Sequence, residues 1–169
     1  MLMGEHKILR KVCMLGEFAV GKTNLASRFT QNTFNETYIS TMGARVSKKE
    51  ITKGDTHITM MVWDLIGFIK YEKLIASYTK GSDVGIVVYD VSRKDTFDFV
   101  VKWANLFTMH EKNRPIILLA NKMDIGPKYD AEALGAELAQ EKGWTFFMTS
   151  AKTGLNVEQA FLTAAEINL

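Results

Sequence analysis

Gly16-Glu17-Phe18-Ala19-Val20-Gly21-Lys22-Thr23 fits the pattern G-x-x-x-x-G-K-[ST], and the rest of the chain is read outward from it. In such a loop the backbone N–H groups wrap phosphate oxygens, helped by the N-terminus of the helix that follows. The wrapping set runs over Glu17, Phe18, Ala19, Val20, Gly21, Lys22, Thr23 and Asn24. Lys22 is placed to reach the outer phosphates as a point charge, and Thr23 to give its hydroxyl to magnesium. The plain alternative is a glycine turn with a surface lysine. Context argues against it: Lys7 to Leu15 is an apolar run that reads as a buried strand, and Gly21 to Phe29 reads as a helix.

Beyond the loop, strands and helices alternate. Ala44 to Thr52 and Thr56 to Asp64 alternate apolar and polar residues around the turn Lys53-Gly54-Asp55, which predicts a hairpin. Val84 to Asp90 and Pro115 to Asn121 are continuous apolar runs, as expected for central parallel strands covered on both faces. Helices are predicted over Asp95 to His110, with Phe99, Trp103, Leu106 and Phe107 on one face, over Asp130 to Lys142, with Ala131, Leu134 and Leu138, and over Asn156 to Asn168, with Val157, Phe161 and Ala164. Thr145 to Thr149 adds a short strand. The pattern predicts an α/β fold: a doubly wound, mostly parallel six-stranded sheet with one antiparallel edge hairpin and about five helices. Ligands of such folds bind in the loops after the strands.

The loop implies phosphate and leaves the base open. Asn121-Lys122-Met123-Asp124 ends a central apolar strand and narrows it. Guanine offers a ring N–H and an amino group on one edge, and the Asp124 carboxylate can accept both; adenine has no such donor pair. An unpartnered carboxylate facing the wrong base is disfavoured by several kcal/mol as an order of magnitude, enough for specificity. Lys122 can lay its alkyl stem along the base plane, and Asn121 can tie this loop to its neighbours. After the last strand, Thr149-Ser150-Ala151-Lys152 offers a small residue that lets a backbone N–H approach the guanine carbonyl. Alone, the first tetrapeptide is equally a helix-capping turn and the second a strand-end turn; the phosphate loop on the same rim makes them a base pocket.

The bulk numbers set the frame. The chain has 169 residues, enough for one domain and short for two, so 1–169 is read as a single domain. Apolar residues make up 47%, sufficient for a core. A net charge of +2 gives no case for nucleic acid. The one cysteine, Cys13, excludes an internal disulfide, and a reducing, cytoplasmic setting is expected. No apolar run is long enough to span a bilayer, and a monomer is the default.

These motifs together resemble the Ras superfamily of small GTPases, and within it most closely the Rab family. The resemblance covers nearly the whole chain and a P-loop NTPase-type fold. Tyr38-Ile39-Ser40-Thr41-Met42-Gly43 resembles the first switch segment and Trp63-Asp64-x-x-Gly67 the second; Tyr78, the run Gly85 to Val91, Trp103, Ser150 to Gly154 and Asn156-Val157 fit as well. The resemblance implies GTP or GDP with Mg2+ as cofactors. It implies that Thr41 supplies a second hydroxyl to magnesium and a backbone N–H to the γ-phosphate, that Asp64 holds magnesium through water, that Gly67 touches the γ-phosphate, and that Phe34 packs edge-on against guanine. Lys22, Thr41 and Gly67 are thereby the candidate catalytic residues. Tyr38 joins the nucleotide-binding set. Effectors and regulators are expected along Tyr38–Gly43 and Gly67–Tyr78. Each residue has a plainer reading: Phe34 as a loop anchor, Thr41 as an edge-strand threonine, Asp64 as a helix cap.

Two departures stand out. Where the family's second switch reads W-D-T-A-G-Q-E, this chain reads Trp63-Asp64-Leu65-Ile66-Gly67-Phe68-Ile69. Phe68 replaces the glutamine that orients the attacking water and has no group to do so. Phe18 puts a bulky ring where the family has a small residue. Both predict slow hydrolysis, or a hydrolysis-defective GTP-bound scaffold. The apolar residues Leu65, Ile66, Phe68 and Ile69 suit either local packing or a partner surface. A kinase reading lacks the arginine cluster that a lid requires. The chain ends Ala165-Glu166-Ile167-Asn168-Leu169 without a prenylation cysteine, so membrane association is expected only through a tail outside this sequence; a chain without a lipid anchor would suit a prokaryotic or archaeal Rab-like protein.

Overall fold

A computed structural model of the chain describes residues 5–34 and 43–169. Tyr38 and Thr41 lie outside the described residues. The elements run β1 (His6–Leu15), α1 (Lys22–Gln31), β2 (Ala44–Lys53), β3 (Thr56–Leu65), a 3₁₀ turn (Ile69–Tyr71), α2 (Glu72–Tyr78), β4 (Val84–Asp90), α3 (Lys94–Asp98), α4 (Val100–Thr108), β5 (Ile116–Asn121), α5 (Ala131–Lys142), β6 (Thr145–Met148) and α6 (Val157–Glu166).

The six strands lie in the order β2-β3-β1-β4-β5-β6. β2 and β3 form the expected antiparallel hairpin, closed by Lys53 opposite Thr56. The remaining neighbours pair in parallel, for example Met14 beside Asp64 and Ile86, and Asp90 beside Asn121. Every residue of β4 and β5 is buried, as their unbroken apolar runs predict. Successive side chains of a strand face opposite ways, so one sheet makes two cores. Ile86 and Val88 point with Met14 toward α1 and α6, where the Phe29 and Phe161 rings stack at 4.5 Å. Val87 and Tyr89 point toward Trp103 and Phe107 of α4 and Ala131 of α5.

One predicted helix is corrected. The span Asp95 to His110 is two helices, α3 and α4, meeting at Phe99. Phe99 is half-exposed and does not share the buried face of Trp103, Leu106 and Phe107; Val100 takes that place, and Phe97 reaches the core by an edge contact with Tyr89 at 5.1 Å. α6 keeps its predicted face, with Val157, Phe161 and Ala164 buried. Among the described residues no helix is long and apolar enough to cross a membrane.

Parallel strands bring five loops to one rim. The phosphate loop follows β1, Asp64 sits near the end of β3, Asp90 ends β4, Asn121 ends β5, and Thr149 and Ser150 follow β6.

Candidate functional site

The phosphate loop is shaped by side-chain donors, from its own Lys22 and from outside it. The Lys22 ammonium donates to the carbonyls of Gly16 (2.8 Å) and Glu17 (2.9 Å). Arg93 Nη1 donates to the Phe18 carbonyl (3.0 Å), Lys122 Nζ to that of Ala19 (2.6 Å) and Asn121 Nδ2 to that of Val20 (2.9 Å). Five successive carbonyls are thus held by side chains. A peptide N–H points opposite its carbonyl, so the N–H groups of residues 17–21 are aimed the other way, as a concave anion nest requires. Gly21 has φ +102°, and a Cβ there would stand 2.4 Å from Asn121 Nδ2. Ala19 also takes positive φ, +65°, the strained point of the loop. Burial pushes the Lys22 ammonium down to about 8, against the pull of the Asp64 and Glu17 carboxylates. A buried ammonium has three N–H donors, and two carbonyl acceptors leave one for an anion.

At the other end, Asn121 Oδ1 accepts from Thr149 Oγ1 (3.0 Å) while its Nδ2 holds Val20, so one side chain joins three loops, as the sequence led us to expect. Lys122 has φ +69°, and its ammonium also pairs with Asp90 Oδ2 at 3.0 Å. Ser150 Oγ donates to Asp124 Oδ1 (2.7 Å) and accepts from the Thr153 N–H (3.1 Å). The exposed Asp124 carboxylate is therefore aimed by the β6 loop, and the α1 residue Arg28 fixes that loop through the carbonyls of Ala151 (2.7 Å) and Lys152 (2.5 Å). The half-buried Phe34 packs against the core cluster under α1 and α6.

Thr23 Oγ1 donates to Asp64 Oδ2 at 2.5 Å. A hydroxyl and a carboxylate in contact form part of a hard oxygen set, which suits magnesium completed by phosphate oxygens and water. Among the described residues no group of three or more His, Cys, Asp or Glu side chains forms an all-protein metal cage. Gly67 lies flat on the phosphate loop: a Cβ would stand 2.7 Å from Phe18 N and 2.8 Å from Lys22 Nζ. The Phe68 ring stacks on Phe18, with centroids 4.7 Å apart and planes at 29°. Leu65 is fully buried, and Ile66 and Ile69 pack on the α4-side core. In the rest of the apolar run after Asp64, Ile66, Phe68 and Ile69 are partly buried.

The sequence model of the Ras family matches residues 11–168. The chain belongs to the Ras family. It is similar to the Ras-related protein Rab7 of Drosophila melanogaster, at 32% identity over 98% of this chain and 83% of that protein. It is also similar to the Ras-related protein Rab-5A of Dictyostelium discoideum, 36% identical over 92% of this chain and 79% of the other. The Ypt/Rab-type GTPase ypt7 of Schizosaccharomyces pombe is 32% identical over 99% and 86% respectively. This Ras family member is accordingly a Rab-like, guanine-nucleotide-binding small GTPase with the P-loop fold.

Among the described residues, Arg28, Asp90, Arg93 and Trp103 brace the site of this GTPase and escape sequence reading. Arg93 acts on the phosphate loop because β4 ends beside β1, and Asp90 on Lys122 because β4 also ends beside β5. Trp103 is read as core, and it is; yet its indole N–H also donates to Glu17 Oε1 at 2.8 Å. The one signal available was polarity: an indole N–H buried in a core needs an acceptor.

Proposed function

We propose that this Rab-like GTPase binds GTP or GDP with magnesium, hydrolyses GTP slowly, and presents nucleotide-dependent surfaces to effector and regulator proteins along Tyr38–Gly43 and Gly67–Tyr78. The Glu17–Asn24 segment holds the phosphates, Lys22 their outer oxygens, and Thr23, Thr41 and Asp64 the metal. Magnesium, when bound, draws off charge that develops on the phosphate oxygens. Asp124 accepts from the guanine edge, Lys122 and Phe34 flank the base, and the Ser150–Lys152 backbone meets its carbonyl. Gly67 N–H and Lys22 stabilise charge on the γ-phosphate, the electrostatic part of catalysis that survives here.

The observation that carries the slow step is Phe68 stacked on Phe18 at 4.7 Å. Neither ring can accept a proton or orient water, so rate enhancement rests on positioning and charge alone. A single-turnover assay with bound GTP, with and without cell extract, tests this. Turnover within hours supports a slow switch. GTP that lasts for days with no acceleration favours the second reading, a GTP-bound scaffold, which the same ring pair supports. For base identity, Asp124→Asn is expected to exchange guanine preference for xanthine, whose carbonyl replaces the amino group. Unchanged preference, or wild-type affinity for ATP equal to that for GTP, overturns the assignment.

A further inference from the structure

In a switch that reads the γ-phosphate, the second switch segment is held to the phosphate loop by that phosphate and loosens when it leaves. In this protein the segment is already held by its own side chains. Leu65 is buried at 0% exposure, Ile66 and Ile69 sit on the α4-side core, and the Ile66 N–H donates to the Gly43 carbonyl at 2.9 Å. Between these anchors Phe68 stacks on Phe18, and Gly67 lies against Phe18 N and Lys22 Nζ. Phe18 is itself fixed from behind, because Arg93 holds its carbonyl at 3.0 Å. The Phe18 backbone is thereby held, and the Phe68 ring lies on its side chain.

We infer that Phe18 and Phe68 form one aromatic clamp that holds Gly67 on the phosphate loop in both nucleotide states, so that residues 66–71 do not report the loss of the γ-phosphate. Both are positioning residues: they act through Gly67. The clamp rests on the functional reading above and narrows it: residues 66–71 are constant, and the nucleotide-dependent surface is Tyr38–Gly43 with Glu72–Tyr78. By holding Gly67 on the loop after the γ-phosphate has gone, the same rings slow nucleotide release.

The test is amide exchange over residues 66–71 in protein loaded with GDP or with a non-hydrolysable GTP analogue, together with GDP release rates. Wild type is expected to exchange alike in the two states. Phe18→Ala and Phe68→Ala are expected to exchange faster with GDP than with the analogue, and each to speed GDP release about three- to tenfold, the span that an aromatic pair supplies. The double variant is expected to match the larger single effect, as a shared contact requires. Phe68→Tyr keeps the ring and restores wild-type behaviour; Phe68→Leu keeps bulk without the stack and does not. Wild-type exchange that rises tenfold or more on going to GDP overturns the clamp, as do additive single effects. Each variant is also titrated with GTP and ATP: loss of guanine preference in wild type sinks the functional reading, whereas guanine preference with state-dependent exchange sinks the clamp alone.

Discussion

Lys22 shows how one residue couples burial to ligand chemistry. Its ammonium is pushed down to about 8 from an ordinary 10.5, first by burial. The folded protein therefore binds fewer protons than the unfolded chain between these values, and this group's contribution to stability grows as pH rises through that window. A bound phosphate favours the charged form, so above pH 8 binding takes up a proton. Nucleotide affinity is expected to fall as pH is raised above 8, approaching about tenfold per unit. Dissociation constants for GDP between about pH 7 and 9 check this; a flat profile contradicts it. Gly21 belongs to the same scale. In Gly21→Ala the new Cβ meets Asn121 Nδ2 at 2.4 Å with φ at +102°, so the Asn121 bond to Val20 breaks. Loss of that buried bond is expected to weaken GDP binding about tenfold or more. Both glycine and lysine were legible from the loop motif. The reason Gly21 must be glycine was not, because the clashing amide arrives from β5.

Elements brace the loop as much as residues do. α4 contributes Trp103, whose N–H reaches Glu17 while its ring fills the core. Trp103→Phe keeps most of the ring and strips the donor from a carboxylate; it is expected to lower stability by about 1.5–3 kcal/mol, read by urea denaturation. On the opposite face the Phe29–Phe161 stack ties α1 to α6. Phe161→Ala is expected to cost about 3–5 kcal/mol by opening a cavity, with the preference for GTP over ATP retained. Strands β4 and β5 were legible because both faces are covered and their residues are uniformly apolar. The break at Phe99 was not, since periodicity marks a face and cannot say which of two phenylalanines the neighbouring Tyr89 will accept.

At the scale of the molecule, five strand ends meet on one rim, and the bonds between their loops join residues far apart in sequence, such as Asn121 to Val20 and Arg28 to Ala151. A ligand that touches all these loops stabilises the whole fold by linkage. Stripping nucleotide and magnesium with EDTA is expected to lower the melting temperature, since ligand at a hundred times its dissociation constant contributes about 2.7 kcal/mol. Calorimetry before and after EDTA, then after adding back GDP and magnesium, checks the effect and its reversal.

The amino-acid order alone determined the alternation of strands and helices, the edge hairpin, the phosphate-loop motif and the Asn121–Asp124 motif at a strand end, because each depends on residues close together in the chain. It also showed that Phe68 lacks a group to orient water. Only the tertiary structure decided that Phe68 lies on Phe18, that Arg93 and Trp103 brace the loop, and that the segment after Asp64 is packed inward. Those contacts form between loops that share a rim only once the parallel sheet has assembled. No local pattern of side chains encodes which ring meets which across it.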